Sequence, residues 1–136
     1  MIAGATALDK EYFAAVNRGD VDGTMALFWN SPEVVSIGVA GAPLRGYKAV
    51  RDFYSQAYAG MPGAQFEPTS TNNVPQGDLV LGWGTWRATI PTRGGSPIVL
   101  HGRYMDVKAR KDGKWVYIMD HGSVGLPPAS ETPAKK

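Results

Sequence analysis

Apolar residues recur at helical spacing through Leu8, Tyr12, Ala15 and Val16, while Asp9, Lys10, Glu11 and Arg18 occupy other faces, which predicts an amphipathic first helix. Gly19 ends it, and Asp20 is placed to cap a short second helix through Met25, Ala26, Leu27 and Phe28. Asn30-Ser31-Pro32 breaks that helix, and Val34-Val35-Ser36-Ile37 reads as a strand. Gly38 to Gly46, rich in Gly and Pro, is predicted as loop. A third helix follows over about residues 47 to 58, with Val50, Phe53, Tyr54 and Ala57 as its buried stripe. Gly60-Met61-Pro62-Gly63 closes it.

The pattern then changes period. Gln65 to Asn73 is polar enough for a strand at the margin of a sheet, and Pro75-Gln76-Gly77-Asp78 makes a turn. Leu79 to Ile90 predicts a long central strand; Trp83 and Trp86 are three apart, so they face opposite sides. Gly82 and Gly84 point to a bend or bulge there. Ile98 to Val124 is a long hairpin turning at Arg110-Lys111-Asp112-Gly113. In its first strand His101, Arg103, Met105 and Val107 share one side, and Gly102, Tyr104, Asp106 and Lys108 the other. The first of these rows, His and Arg above Met and Val, reads as the wall of a pocket with an apolar floor.

Helices first and antiparallel strands after them predict an α+β domain, with the helices on one face of a curved sheet. The domain spans residues 1–126, and 127–136 is a Pro-, Ala- and Lys-containing tail expected to be disordered. A second, aromatic-bearing sheet face is left over, and self-association as a homodimer is the expected way to cover it.

Composition narrows the chemistry. A hydrophobic share of 43% and a charged share of 19% describe a soluble globular chain, and a net charge of +2 argues against nucleic acid as the partner. With no cysteine, disulfides, thiolate catalysis and Cys-based metal sites are excluded. No apolar run is long enough to span a membrane, so none is expected as a partner. Met1 to Leu8 lacks the pattern of a secretory leader, which favours the cytoplasm and leaves the periplasm open if a leader was removed.

Both histidines, His101 and His121, lie in the hairpin, with a pKa suited to acid–base work and also with an ordinary role as strand hydrogen-bonders. Asp120 precedes His121 directly, and neighbours on a strand point to opposite faces, so the two do not pair. Arg103 reads either as a clamp for a carboxylate or enolate oxygen, or as half of an internal ion pair with Asp120 or Glu33. Tyr12 lies on the buried stripe of its helix, its hydroxyl donating into a cavity or to a backbone carbonyl. Trp29, Tyr54, Trp83, Trp86 and Met105 are the candidate ligand contacts, each with packing as its ordinary role. No spacing supports a metal site.

Three separated segments resemble a known family. Tyr12-Phe13-Ala14-Ala15-Val16-Asn17-Arg18-Gly19-Asp20-Val21-Asp22-Gly23 with Ala26-Leu27-Phe28 is similar to the opening of ketosteroid-isomerase-like and SnoaL-like proteins. Leu44-Arg45-Gly46 before a helix containing Val50-Arg51-Asp52-Phe53-Tyr54 is similar as well. Arg103, Asp112-Gly113-Lys114-Trp115 and His121-Gly122-Ser123 resemble the SnoaL-like branch that includes the association domain of calmodulin-dependent kinase. The resemblance implies a cone: a curved antiparallel sheet wrapped around the N-terminal helices, with an internal pocket. It places Tyr12 where the isomerases carry an oxyanion-hole tyrosine. Their base aspartate falls near Ser36-Ile37-Gly38, where this chain has no carboxylate, and their protonated aspartate falls near Arg103, on the inward side. Ketosteroid isomerisation by that mechanism is therefore not expected.

These readings together predict a protein that binds a small apolar or acidic molecule carrying a carbonyl or carboxylate. Any chemistry is of the isomerase, lyase or hydrolase acid–base type, without a cofactor, and whether a reaction occurs is left open. The alternative is a non-catalytic homodimerisation or association domain.

Overall fold

The computed structural model describes residues 2–125; the expected tail at 127–136 lies outside them. The chain runs α1 (Ile2–Arg18), α2 (Val21–Met25), β1 (Val35–Ile37), β2 (Leu44–Arg45), α3 (Tyr47–Gly60), β3 (Gln65–Gln76), β4 (Leu79–Ile90), β5 (Ile98–Lys111) and β6 (Lys114–Val124). Local chemistry sets the helix ends. At the end of α1, Gly19 takes φ 64°, and the amides of Gly19 and Asp20 return to the carbonyls of Val16 and Ala15 at 3.0 Å each. This pattern satisfies the last carbonyls of a helix at a left-handed residue. Asp20 then accepts from the Gly23 amide at 2.9 Å and opens α2.

The six strands form one curved sheet in the order β2-β1-β6-β5-β4-β3. Pairing is antiparallel except between β1 and β6, which run parallel. The sheet is thus curved and mostly antiparallel as expected, with one parallel junction: the chain leaves β1, makes β2 and α3, and returns to β1 only with its final strand. β2 itself falls in the predicted loop, too short at two residues to leave a periodic signal. β3 is an edge strand as its polarity foretold, and the edge position tolerates Pro68 and Pro75.

The helices lie on the inner face, where Leu8, Met25, Phe28, Val34, Val50, Tyr54 and Tyr117 form the core. Of the stripe predicted for α3, Val50 and Tyr54 are buried, whereas Phe53 remains 36% exposed. Along β4 the inward positions are Val80, Gly82, Gly84, Trp86 and Ala88, every one buried. Gly82 and Gly84 mark no bulge; the irregularities fall at Pro68/Ser70 and Val107/Lys108. These glycines make room instead. A Cβ on Gly82 would overlap Asp106 and Lys108, and one on Gly84 would overlap the Ser70 carbonyl oxygen and press the Tyr104 ring at 2.8 Å.

Candidate active site

The face of β5 that turns inward is Gly102, Tyr104, Asp106 and Lys108. This reverses the expected wall. His101, Arg103 and Met105 stand on the outer face, and Met105, though it borders the cavity, is 54% exposed. Strand alternation separates the two rows without saying which is inside. The missing information lies on β4, whose inward glycines sit opposite Tyr104 and Asp106. Arg103 is neither clamp nor buried ion pair: its Nε donates to Ser123 Oγ at 3.0 Å on the exposed side, and Glu33 pairs with Arg45.

Between the inner face and the helices lies a cavity of about 470 Å³. Its walls are aromatic and aliphatic, from Tyr12, Phe13 and Val16 on α1, Phe53, Tyr54 and Ala57 on α3, and Phe66 and Trp86 on the sheet. Trp86 and Tyr54 thus line it as expected, whereas Trp83 is 47% exposed on the outer face. Trp29 also misses the cavity: it packs at the margin of the core with the Lys111 ammonium 4.5 Å from its ring centre.

Two polar groups face each other across this space. Tyr12 and Tyr54 join their hydroxyls at 2.8 Å, one from each long helix. Burial, followed for Tyr12 by the nearby Asp120 charge, holds both phenols well above their ordinary pKa, so both stay protonated. Asp120 reaches inward from β6, and its Oδ1 is sealed from solvent with no hydrogen-bond partner. Burial pushes its carboxyl up to about 7, against a lowering by Ser36 and with a further rise from the Asp106 charge. Ser36 is its register partner on β1. His121 lines the cavity next to it, half-buried.

Deeper lies a charged cluster that the sequence reading missed. Lys108 is fully buried; its Nζ donates to Asp106 Oδ1 and Asn73 Oδ1, both at 2.6 Å, and lies 3.2 Å from Asp9 Oδ1. Asn73 Nδ2 donates to Asp9 Oδ2 at 2.9 Å, and the Tyr117 hydroxyl to Asp9 Oδ1 at 2.7 Å. Burial raises Asp106 to about 6 despite the opposing pull of Lys108. The signal was present in Asp106 and Lys108, opposite charges two apart on one strand face and hence side by side. Tyr104 completes the polar lining, its buried hydroxyl without a partner and its pKa lifted by burial to about 12.

The arrangement offers in Asp120 a carboxyl without a cation partner, able to gain or lose a proton near neutrality, near two hydroxyls able to hydrogen-bond an oxygen. Among the described residues no group of three or more Asp, Glu or His side chains is placed to hold a metal, and no helix is long and apolar enough to cross a membrane.

Comparison with solved structures shows the same fold at low identity. A candidate dehydratase of the NTF2-like family from Streptomyces avermitilis superposes with a TM-score of 0.84 at 18% identity, over 93% of this chain and 97% of that one. A cystatin-like protein from Caulobacter vibrioides gives 0.81 at 19%, over 97% and 94% of the two chains. A candidate calcium/calmodulin dependent protein kinase II association domain from Xanthomonas campestris gives 0.76 at 18%, over 91% and 87%. Comparison with curated proteins finds no match. The profile of the SnoaL-like domain matches residues 10–118, most of the elements just described. The chain belongs to the SnoaL-like family.

Proposed function

We propose that this protein binds an uncharged, apolar carbonyl compound in the cone and exchanges a proton with it through Asp120. The observation that carries this is the unpartnered Asp120 Oδ1, sealed within an apolar cavity near the Tyr12–Tyr54 hydroxyl pair. A buried polar atom without a partner is costly, and a ligand group would satisfy it. The volume suits a molecule of two or three rings. The charges argue against an acidic ligand: Asp9, Asp106 and Asp120 face inward, and their one buried cation, Lys108, is already paired. In the reaction the ionised form of Asp120, whose share grows as pH rises through about 7, removes a proton from the carbon next to the carbonyl, and the phenols hydrogen-bond the oxygen as it gains charge. The name dehydratase carried by a structural neighbour agrees with chemistry of this kind.

The test uses 2-tetralone, an uncharged bicyclic ketone, and follows exchange of its α-protons for deuterium by NMR. The protein should accelerate exchange above buffer, Asp120→Asn should return it to the buffer rate, and Tyr12→Phe should retain an intermediate rate. Exchange no faster than buffer with 2-tetralone bound in the cavity would refute the reading.

A second reading concerns the outer face. Trp83 stands opposite Met105, and Leu81 opposite Val74, with Met119 further across; all five are exposed. An apolar patch of this kind marks a contact surface. We infer that two copies meet through it, as the association-domain name of a structural neighbour suggests. Light scattering on the full chain should give twice the monomer mass, and Trp83→Ser should halve it.

A further inference from the structure

Asp106 and Asp120 are directly opposite in the register of β5 and β6, and both line the cavity. Opposed residues on one sheet face have Cβ atoms about 4.5–5.5 Å apart. Two carboxyls so placed and withdrawn from solvent do not ionise independently. We propose that Asp106 and Asp120 form a coupled pair that retains a single proton up to about neutral pH, and that Lys108 is the positioning residue that keeps this proton on Asp120.

The asymmetry comes from what touches each member. Asp106 is 5% exposed and receives the Lys108 ammonium at 2.6 Å, a charge-assisted hydrogen bond that favours its ionised form. Asp120 has no cation. The titratable and polar groups around it are Asp9 and Tyr12 from α1, Tyr54 and Tyr58 from α3, Ser36 from β1, Tyr104 and Asp106 from β5, and Tyr117 and His121 from its own strand. The tyrosines stay protonated across this range, so they add no charge to compensate it. Lys108 cannot serve both carboxyls, because its remaining contacts go to Asn73 and Asp9. One cation therefore stands against three inward carboxyls, and the proton settles on the one that the cation does not reach.

The consequence for chemistry rests on the reading of Asp120 as the proton-exchanging group. The sharing itself does not, and it is measured on the full chain without ligand. Carboxyl carbons of the aspartates are followed by 13C NMR through a pH titration. In the unaltered protein Asp120 should titrate well above the ordinary carboxylate range. In Asp106→Asn, where Lys108 keeps Asp9 as partner, the Asp120 midpoint should fall by roughly one pH unit. In Asp120→Asn the Asp106 midpoint should fall likewise, since the coupling is mutual. Lys108→Met should move the proton toward Asp106; if that variant does not fold, the two asparagine variants decide alone. An Asp120 midpoint unchanged by Asp106→Asn, or one at the ordinary carboxylate value throughout, overturns the proposal. If the midpoints move as expected but 2-tetralone does not exchange, the proposed reaction fails and the shared proton stands.

Discussion

Gly102 lies directly opposite Trp86 across β4 and β5, and the indole of Trp86 fills the space that a side chain at position 102 would need. The same arrangement recurs one step along, where Tyr104 covers Gly84. Large side chains thus lie flat over glycines of the neighbouring strand, leaving the centre of the cone open.

Gly102→Ala forces the indole to move or the strands to part. Overpacking of this kind costs about 1–3 kcal/mol. Urea denaturation should show that loss, and the change around Trp86 should alter the tryptophan emission of the folded protein. An unchanged midpoint and spectrum would show that the space is not so confined.

Lys108→Met keeps much of the apolar stem and leaves Asp9 and Asp106 buried without their cation. Breaking one side of a buried ion cluster costs roughly 3–5 kcal/mol, a large share of a domain's stability. The loss should lessen at acid pH, where the stranded carboxyls take up protons. Denaturation midpoints at pH 5 and pH 8 check both statements.

Asp120 makes stability depend on pH in a direction opposite to that of a salt-bridged carboxylate. Its folded carboxyl titrates near 7, while an unfolded aspartate titrates near ~3.9. Between those values the folded state holds more protons, so stability falls as pH rises. The contribution is fully present below about pH 4 and lost as pH rises through about 7. Asp120→Asn removes this dependence, and its stability relative to the unaltered protein should improve by on the order of 2 kcal/mol between pH 5 and pH 8. A constant difference across that range would show that Asp120 titrates normally.

Arg103→Met should do little. The side chain lies on the exposed face, bonded to Ser123, away from the cavity. Replacement at such a position changes stability by no more than about 0.5 kcal/mol and leaves ligand binding in the cone unaltered. A tenfold loss of affinity for a bound ketone, measured by titration calorimetry, would contradict this placement.

The fold was legible because its signals are local. Leu8, Ala15 and Val16 mark a helix by spacing, Gly19 stops it, and the change from helical to alternating pattern after Gly63 divides the chain into its two halves. The site was only half legible. Tyr12, Tyr54, Trp86, Asp120 and His121 were reached, and the structure brings all five to the cavity. His101 and Arg103 were placed on the wrong face, because alternation fixes parity but not direction; Trp83 lies opposite in face to Trp86, as their spacing requires, and so misses the cavity. Of the Lys108 cluster, the Asp106–Lys108 pair was readable from strand parity, but its partners Asp9 and Asn73 come from elements far away in sequence. No local pattern reports that contact.

The free margin of β3 shapes how this molecule meets others. Pro68 and Pro75 lack the amide protons that a docking strand would seek, and the chain shifts register between Pro68 and Ser70. At its start Asn17 already occupies the Phe66 backbone, accepting from its amide at 2.7 Å and donating to its carbonyl at 2.8 Å. The opposite margin, β2, is only two residues long. The described edges therefore offer little template for strand-by-strand polymerisation, and the proposed pairing through the outer face would be a closed one, completed by a two-fold axis after a single partner.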